Sequence, residues 1–271
     1  MAATAAASGD LGHFFLSNGI SVEEHNELVK SVEPLRGSVV RIILANKKNV
    51  VVQTGTASLV YRGDERSLFL TCAHNFGEKL RGEVIRLPNG DTVEDYPIEH
   101  IVYRHKGRDL LLFSVKDLPQ CQCLEFSTDE VKENDKVVLL GFSGPPLWVN
   151  NKELVPAPVV ALSILTGVVC TDPYKTEGDQ HHEKIIYSCQ AIQGHSGSPL
   201  FKNGKLVAVH IAADKNWRDG VSTNTVLHSL REHLELGTDN EDTIDKLLER
   251  LYNKSGHVPY AELQTCQEEE E

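Results

Sequence analysis

A serine lies between glycines in one short segment of the chain, Gln193-Gly194-His195-Ser196-Gly197-Ser198-Pro199-Leu200. Glycine adopts backbone conformations that are closed to other residues. The backbone N–H groups of Gly194 and Ser196 can therefore point at one spot, which is how an oxyanion hole is built. On its own, such a segment is more often an ordinary turn, so its chemical meaning depends on what else the chain contains.

Two further segments supply the partners that a reactive serine needs. A serine hydroxyl is a poor nucleophile until a base takes its proton, and histidine is the usual base near neutral pH. His74 directly follows a β-rich stretch, and Asp109 precedes an apolar run, where its carboxylate can orient the imidazole. The order His74, Asp109, Ser196 has gaps of 35 and 87 residues. The two segments are Leu70-Thr71-Cys72-Ala73-His74 and Arg108-Asp109-Leu110-Leu111-Leu112-Phe113.

Short apolar and β-branched runs, separated by turn sequences, dominate the middle of the chain. They predict an all-β barrel or sandwich, because no alternating helices intervene. Asn203-Gly204, between two apolar pairs, predicts a two-residue hairpin. The predicted strands cover residues 39–44, 50–53, 57–61, 67–71, 98–103, 110–115, 136–141, 159–170, 185–189 and 206–211.

Helical periodicity is confined to the two ends. Ser21 and Glu24 form a capping-box pattern before an apolar face, and Pro34 ends that helix. Near the other end, two apolar stripes predict helices that pack on the β core, with docking of a partner helix as the alternative for the second. The stripes are Val226, Leu227, Leu230 and Leu234, then Ile244, Leu247, Leu248 and Leu251.

Composition excludes several classes of protein. The chain has 271 residues, with 39 acidic and 27 basic side chains and a net charge of −12. A diffuse nucleic-acid binder or a basic membrane-surface protein does not fit that charge. No apolar run of about 18 residues is present, so no transmembrane helix is predicted.

The six cysteines and the first residues bear on the cellular compartment. Cys121 and Cys123 would share one face of a strand, as half of a metal site or as two small hydrophobic side chains. The second interpretation is favoured because no His/Cys pair with ligand spacing accompanies them, and no metal or cofactor is expected. The Ala-rich start lacks the features of a secretory signal. An intracellular, cytoplasmic location is therefore expected, with a plastid presequence as a minor alternative.

The three motifs together resemble those of the chymotrypsin-like (trypsin-like) serine endopeptidases. In that superfamily they read Leu-Thr-Ala-Ala-His, Asp-hydrophobic-Ala-Leu-Leu and Gly-Asp-Ser-Gly-Gly-Pro. The resemblance covers about residues 37–235 and implies two perpendicular six-stranded β-barrels with the active site between them. It implies Ser196 as the nucleophile, His74 as the general base and Asp109 as the orienting carboxylate. The amides of Gly194 and Ser196 would form the oxyanion hole.

At two positions the chain differs from the zymogen-activated members of that superfamily. His195 replaces the aspartate that zymogen-activated members carry before the nucleophile, and Asn75 replaces a disulfide cysteine. The chain is more similar to HtrA-type proteases and to glutamyl endopeptidases, whose motif also reads Gly-x-Ser-Gly-Ser-Pro. Only 36 residues follow residue 235, too few for a C-terminal PDZ domain, which counts against an HtrA protein proper.

The resemblance also points to the pocket for the substrate side chain at P1. Gln190 lies where trypsin-type enzymes carry an acid, so a preference for Lys or Arg is not expected. His210 lies where glutamyl endopeptidases place a pocket histidine, which implies Glu or Gln at P1 through a charge-assisted hydrogen bond. The alternative is a strand histidine that only fills space. Ala191 weakens the likeness, because related pockets carry a hydroxyl near that position.

The sequence thus predicts a serine endopeptidase that acts on a protein or peptide substrate through an acyl-enzyme. The alternatives are a catalytically silent protease-like binding or scaffold module, and an esterase with the same triad. The expected organisation is a tail and short helix over 1–36, a protease domain over 37–235 that divides near 141–153, and a C-terminal helix with an acidic tail over 236–271. The oligomeric state stays open.

Overall fold

The computed structural model describes residues 19–45, 51–77, 83–89, 92–143, 149–150, 153–154, 161–213, 217–237 and 239–254. The first residues, the acidic tail, Cys266 and parts of the predicted division at 141–153 lie outside these ranges.

Six antiparallel strands close into a barrel in the first half of the chain. They are β1 (Val39–Ala45), β2 (Val51–Arg62), β3 (Arg66–Thr71), β4 (Glu83–Asn89), β5 (Thr92–His105) and β6 (Leu110–Lys116), joined in the order β1-β2-β3-β6-β5-β4. Nearly every residue of β3 and β6 is buried, because their apolar runs face packed side chains on both surfaces. Inside the barrel, Phe69 stacks on Phe113 with ring centroids 5.4 Å apart.

The second half of the chain forms a seven-stranded sheet and a small hairpin. The strands are β7 (Lys136–Phe142), β8 (Val149–Asn150), β9 (Glu153–Leu154), β10 (Leu162–Val168), β11 (Tyr174–Thr176), β12 (Asp179–Tyr187), β13 (Pro199–Lys202), β14 (Lys205–Ala213) and β15 (Arg218–Ser222). The sheet order is β10-β7-β13-β14-β15-β12-β11, and β8 pairs with β9. Asn203 and Gly204 have φ values of 52° and 74°, which fits the predicted tight turn between β13 and β14.

Three α-helices accompany the sheets in the described part of the chain: α1 (Val22–Val32), α2 (Thr223–His233) and α3 (Ile244–Lys254). The Ser21–Glu24 capping box is formed at the start of α1. None of the helices described is both long enough and apolar enough to cross a membrane.

One hydrophobic cluster joins the two sheets to the last helix. It contains Leu68 and Leu112 from the barrel, Val209 and Val221 from the second sheet, and the apolar stripe of α3. The four residues of that stripe are buried, so α3 packs on the β core, as the pattern predicts. The region between the barrel and the second sheet is thereby held together by shared packing.

The predicted chymotrypsin-like, mainly β fold with helices near the ends is confirmed. In the described residues the second unit is a seven-stranded sheet with a two-stranded hairpin, where the resemblance implies a second six-stranded barrel. Two predicted strands, 50–53 and 57–61, form the single strand β2. The predicted strand 159–170 is shorter, Leu162–Val168, and its first two residues lie outside the described ranges. The apolar pattern misses β4 and β15, because charged residues, proline and glycine interrupt it there.

The cysteine pair does not lie where the sequence suggests. Cys121 and Cys123 belong to an irregular connection after β6 rather than to a strand, and both pack against the barrel core. Leu124 N–H, directly after this pair, donates to the Leu59 carbonyl and ties the connection to the barrel. The five cysteines in the described ranges are all free thiols.

Candidate active site

His74 lies in a 3₁₀ turn, Ala73–Asn75, directly after β3. The backbone of this turn is tied to the neighbouring loop, because Ala73 N–H donates to the Asp109 carbonyl at 3.2 Å. Gln53 Nε2 donates to the His74 carbonyl at 3.0 Å. The imidazole itself is 42% exposed, so a substrate can reach it from the solvent side.

Asp109 holds His74 at two points. Its Oδ2 lies 2.6 Å from His74 Nδ1, and its Oδ1 accepts a hydrogen bond from the His74 backbone N–H at 2.8 Å. Asp109 has a φ of 55°, an uncommon conformation for a residue other than glycine. The carboxylate thus orients the ring and favours the tautomer that carries its proton on Nδ1.

The Ser196 loop is fastened to the first barrel. The Ser196 carbonyl accepts hydrogen bonds from Thr56 N–H and from Asn75 Nδ2, both at 2.9 Å. Thr56 Oγ1 donates to the Gly194 carbonyl at 3.0 Å. Residues from both halves of the chain therefore meet at this loop, which brings Ser196 into the same region as His74 and Asp109.

Asn75 is the residue that sequence reasoning undervalued. It is fully buried, and its Nδ2 contacts Thr71 Oγ1 at 3.1 Å as well as the Ser196 carbonyl. Its position directly after His74 is the only signal in the sequence, and the signal does not reveal a contact with a residue 121 positions away.

Two backbone N–H groups at the loop are available as donors. Gly194 has a φ of 97°, and within the described residues neither Gly194 N–H nor Ser196 N–H makes a hydrogen bond. The intervening His195 N–H donates instead to the Ile192 carbonyl at 3.1 Å. This pattern of unused donors is what an oxyanion hole needs.

The side chains of Ser196 and His74 are not hydrogen-bonded to each other. The Ser196 hydroxyl makes no hydrogen bond to any residue in the described ranges, and His74 Nε2 lies 3.6 Å from Cys72 Sγ. Cys72 is fully buried, and burial, assisted by the nearby Asp109 charge, raises the pKa of its thiol well above the usual value. In the described part of the chain, Cys72, His74 and Asp109 are the residues whose donor atoms cluster closely enough to consider a metal ion.

His195 is buried beside the serine. Its Nδ1 lies 3.2 Å from Ile192 N and 3.0 Å from the Ile192 carbonyl oxygen, while its Nε2 has no partner among the described residues. Burial lowers the pKa of this imidazole, so the ring is neutral. The position that carries an aspartate in zymogen-activated relatives therefore holds an uncharged side chain here.

The candidate pocket residues differ in exposure. Gln190 is exposed, Ala191 is buried, and the Ala191 carbonyl accepts a hydrogen bond from Arg218 Nε at 2.9 Å. His210 is buried on β14, and its backbone N–H and carbonyl hold the serine loop through Ser198 and Gly197, both at 2.8 Å. This places His210 directly behind the loop of the proposed nucleophile.

Tyr187 is the partner of His210 that sequence reasoning missed. The Tyr187 hydroxyl lies 2.6 Å from His210 Nδ1, and both side chains are buried. Burial lowers the pKa of His210 to about 3, with further lowering from His195, Arg218 and His74. Burial also raises the pKa of Tyr187 well above its usual value. Both groups are neutral at ordinary pH, and the hydrogen bond between the phenol and Nδ1 fixes the orientation of the His210 ring.

Arg108 anchors the loop that carries Asp109. Its guanidinium binds Asp179 through Nε and Nη2, at 2.7 and 3.0 Å, and Glu232 through Nη1 and Nη2, at 2.7 and 3.1 Å. Burial opposes the charge on Arg108, but hydrogen bonds to Asp179 and Glu232 outweigh it and raise its pKa. The hydrogen bonds that Arg108 donates to Asp179 lower the pKa of that carboxyl to about 2. This ion cluster connects the Asp109 loop to β12 and α2.

The fold is that of the chymotrypsin-like serine peptidases. A family model described as the trypsin-like peptidase domain matches residues 55–209, which is more than half of the chain. The chain therefore belongs to the trypsin-like peptidase family, whose members act on peptide bonds. A comparison with curated protein sequences finds no significant match.

Solved structures show the same fold at low sequence identity. The active form of the Rv3671c protease from M. tuberculosis is 18% identical, with a TM-score of 0.56, and the match covers 79% of this chain and 87% of that one. Deg5 is 18% identical, with a TM-score of 0.58 and coverage of 76% and 92%. The HtrA-type protease AlgW, solved with a tripeptide, is 15% identical, with a TM-score of 0.59 and coverage of 77% and 64%. The chain is thus similar in fold to HtrA-type proteases.

Proposed function

We propose that the chain is a serine endopeptidase that hydrolyses protein or peptide substrates through an acyl-enzyme on Ser196. The observation that carries this proposal is the two-point hydrogen bond between His74 and Asp109, beside a serine loop with two unused N–H donors. That arrangement provides a base, a group that orients it, and a site for negative charge. The proposed catalytic unit covers residues 37–235.

The proposed reaction follows from these roles. Ser196 Oγ attacks the scissile carbonyl carbon while its proton passes to His74 Nε2. Asp109 accepts the Nδ1–H bond throughout and stabilises the imidazolium. The carbonyl oxygen, now negative, receives hydrogen bonds from Gly194 N–H and Ser196 N–H. The C–N bond then breaks as His74 returns the proton to the leaving amine, and water, activated by the same imidazole, hydrolyses the ester.

The proposed P1 residue is glutamine in preference to glutamate. We assign to the neutral His210 ring the tautomer protonated on Nε2, with the Tyr187 hydroxyl donating to Nδ1, so that the ring can offer one N–H donor to a substrate amide. A neutral donor satisfies an amide carbonyl oxygen, whereas a buried carboxylate needs a charged partner to offset its loss of hydration. We assign Gln190, which is exposed, as a second polar group of the pocket, and it carries no charge for Lys or Arg.

A catalytically silent peptide-binding module is the second candidate. One observation favours it, namely that His74 Nε2 lies near Cys72 Sγ while the Ser196 hydroxyl makes no hydrogen bond to a described residue. An unpaired serine is not activated unless the side chains move when a substrate binds.

Labelling with a fluorophosphonate probe separates the two candidates. The native chain should label, and Ser196→Ala and His74→Ala should not. Ser31→Ala is the matched control, because Ser31 is an exposed serine on α1 and its loss should leave labelling unchanged. A folded native chain that fails to label would overturn the active-enzyme proposal in favour of the binding module.

A further inference from the structure

The Cys72 thiol sits against the imidazole that we propose as the base. Its Sγ lies 3.6 Å from His74 Nε2, the ring nitrogen that must receive the serine proton. The motif that this segment resembles carries an alanine at the position of Cys72, so the thiol is not part of the proposed triad. Its backbone is held between the end of β3 and the 3₁₀ turn of His74, which keeps the sulfur in place.

The distance between the two atoms fits a shared metal ion. Zinc binds a cysteine sulfur at about 2.3 Å and a histidine nitrogen at about 2.0–2.1 Å, with tetrahedral angles. Two such ligands on one zinc ion are therefore separated by about 3.6 Å. The observed separation of Cys72 Sγ and His74 Nε2 is 3.6 Å, so little rearrangement of the two side chains is needed.

The other nitrogen of His74 has the partner that a metal-bound histidine usually has. A ligating histidine commonly donates its second ring N–H to a carboxylate, which fixes the ring and raises its basicity. Here Asp109 Oδ2 lies 2.6 Å from His74 Nδ1, a hydrogen-bond distance, so Nδ1–H donates to Asp109 while Nε2 remains available to an ion. Asp109 is therefore the outer partner, and Cys72 and His74 are the direct ligands.

The exposed side of the site leaves room for water. The His74 side chain is 42% exposed, so solvent can complete the coordination that two protein ligands leave open. A sulfur and an imidazole select soft and borderline ions such as zinc over magnesium or calcium. Because the protein supplies only two ligands, binding should be reversible.

We propose that Cys72 and His74 form a binding site for zinc or a similar thiophilic divalent cation, and that the bound ion switches off hydrolysis. On binding, the Cys72 S–H bond breaks, its proton leaves to solvent and an S–Zn bond forms, with no change of oxidation state. The lone pair of His74 Nε2 is donated to the metal and cannot take the proton of Ser196. The inhibition rests on the proposed function, whereas the metal binding itself does not.

Metal binding can be measured by absorption spectroscopy, without an assay of peptide hydrolysis. Cobalt(II), titrated into the intact chain, is expected to produce a thiolate-to-cobalt absorption band in the near ultraviolet, and added zinc should abolish it. The band should persist in Ser196→Ala and be lost in Cys72→Ala, which carries the alanine of the related motif. The double variant Cys121→Ser/Cys123→Ser is the matched control, because these two thiols lie near each other outside the site. A band that survives in Cys72→Ala, or that is missing in the native chain, would overturn the proposed metal site.

Inhibition is the second readout. Zinc should inhibit hydrolysis by the native chain, a chelator should restore it, and the inhibition constant should rise at least tenfold in Cys72→Ala. Equal inhibition of the two proteins contradicts the switch. A chain that binds cobalt through Cys72 and hydrolyses no peptide would instead support the metal site and overturn the proposed function, so the two failures are distinguishable.

Discussion

Gly197 lies at the closest approach between the serine loop and the first barrel. Its φ is 88°, and a Cβ atom built there would lie 2.1 Å from both the Thr56 carbonyl oxygen and Thr71 Oγ1. The Thr56 atom belongs to the backbone and cannot turn away. This single position therefore controls how tightly the loop of Ser196 is seated against the barrel.

Gly197→Ala is expected to displace the loop and abolish hydrolysis. The left-handed backbone and the overlap should together cost about 2–4 kcal/mol of unfolding free energy. Chemical unfolding and fluorophosphonate labelling measure the two effects. Gly37→Ala is the control, because a Cβ there meets nothing within 4 Å, and its effect should stay within about 0.5 kcal/mol. Near-native labelling of Gly197→Ala would contradict the tight seating of the loop.

The neutral state of His210 makes the P1 preference independent of pH. Because burial lowers the pKa of His210 to about 3, the ring stays uncharged from pH 5.5 to 8. The ratio of kcat/KM for P1 Gln to P1 Glu peptides should exceed about tenfold and stay flat across that range. Tyr187→Phe should reduce the ratio at least threefold, and Tyr174→Phe, at an exposed tyrosine, should not. A ratio that shifts toward Glu as the pH falls from 7 to 6 would show an imidazolium in the pocket.

Sequence reasoning finds residues that stand in a local motif and misses residues that act through distant partners. His74, Asp109 and Ser196 are each identifiable because each stands in a local motif with its own chemistry. Asn75 and Tyr187 act through partners 121 and 23 positions away, and Cys72 matters only because His74 Nε2 turns toward it. Contacts between distant segments arise from tertiary packing, which local spacing does not encode.

At the scale of elements, the Arg108 cluster joins three parts of the fold. Arg108 precedes Asp109 in the barrel, Asp179 begins β12, and Glu232 lies on α2. Asp109 holds its positive φ next to this buried guanidinium. We therefore expect the cluster to act as a positioning device for the carboxylate that orients His74.

Removing one carboxylate of the cluster should weaken both stability and turnover. Asp179→Asn is expected to cost about 2–3 kcal/mol and to lower kcat several-fold with little change in KM, because it leaves a buried cation less compensated. Glu232→Gln should cost less, since the Glu232 side chain is 47% exposed and that of Asp179 is 32% exposed. Unfolding and steady-state kinetics measure both. Glu33→Gln, which breaks an exposed pair with Arg36, is the control. It should lower the free energy of unfolding by less than about 1 kcal/mol. Equal losses in all three variants would argue against a positioning role.

Most elements are predictable because their signals are local. The short apolar runs predict β3, β6 and β7, the Asn203-Gly204 pair predicts the turn between β13 and β14, and the last apolar stripe predicts α3. The extended segment at Cys121 and Cys123 is not a strand, because a hydrogen bond from Leu124 to Leu59 holds it beside the barrel without a regular ladder. Such a segment has the composition of a strand and differs only in its partners.

At the scale of the whole molecule, the proposed active site depends on both halves of the chain. The base and its carboxylate come from the barrel, the serine loop comes from the second sheet, and a shared core with α3 holds the two together. A substrate that binds between them meets the field of the entire chain, whose net charge is −12. That field attracts cationic peptides outside the P1 pocket.

This charge predicts a salt-dependent preference for basic substrates. Two peptides with the same P1 glutamine, flanked three or more residues away by lysines or by glutamates, should differ in kcat/KM at low ionic strength, with the lysine peptide favoured several-fold. Salt screens charges beyond about 10 Å at 0.1 M and beyond about 3 Å at 1 M, so the difference should shrink as salt is added. The peptide with serines at the same positions is the control and should change little. A preference that persists undiminished at 1 M salt would assign it to direct contacts instead of the net charge.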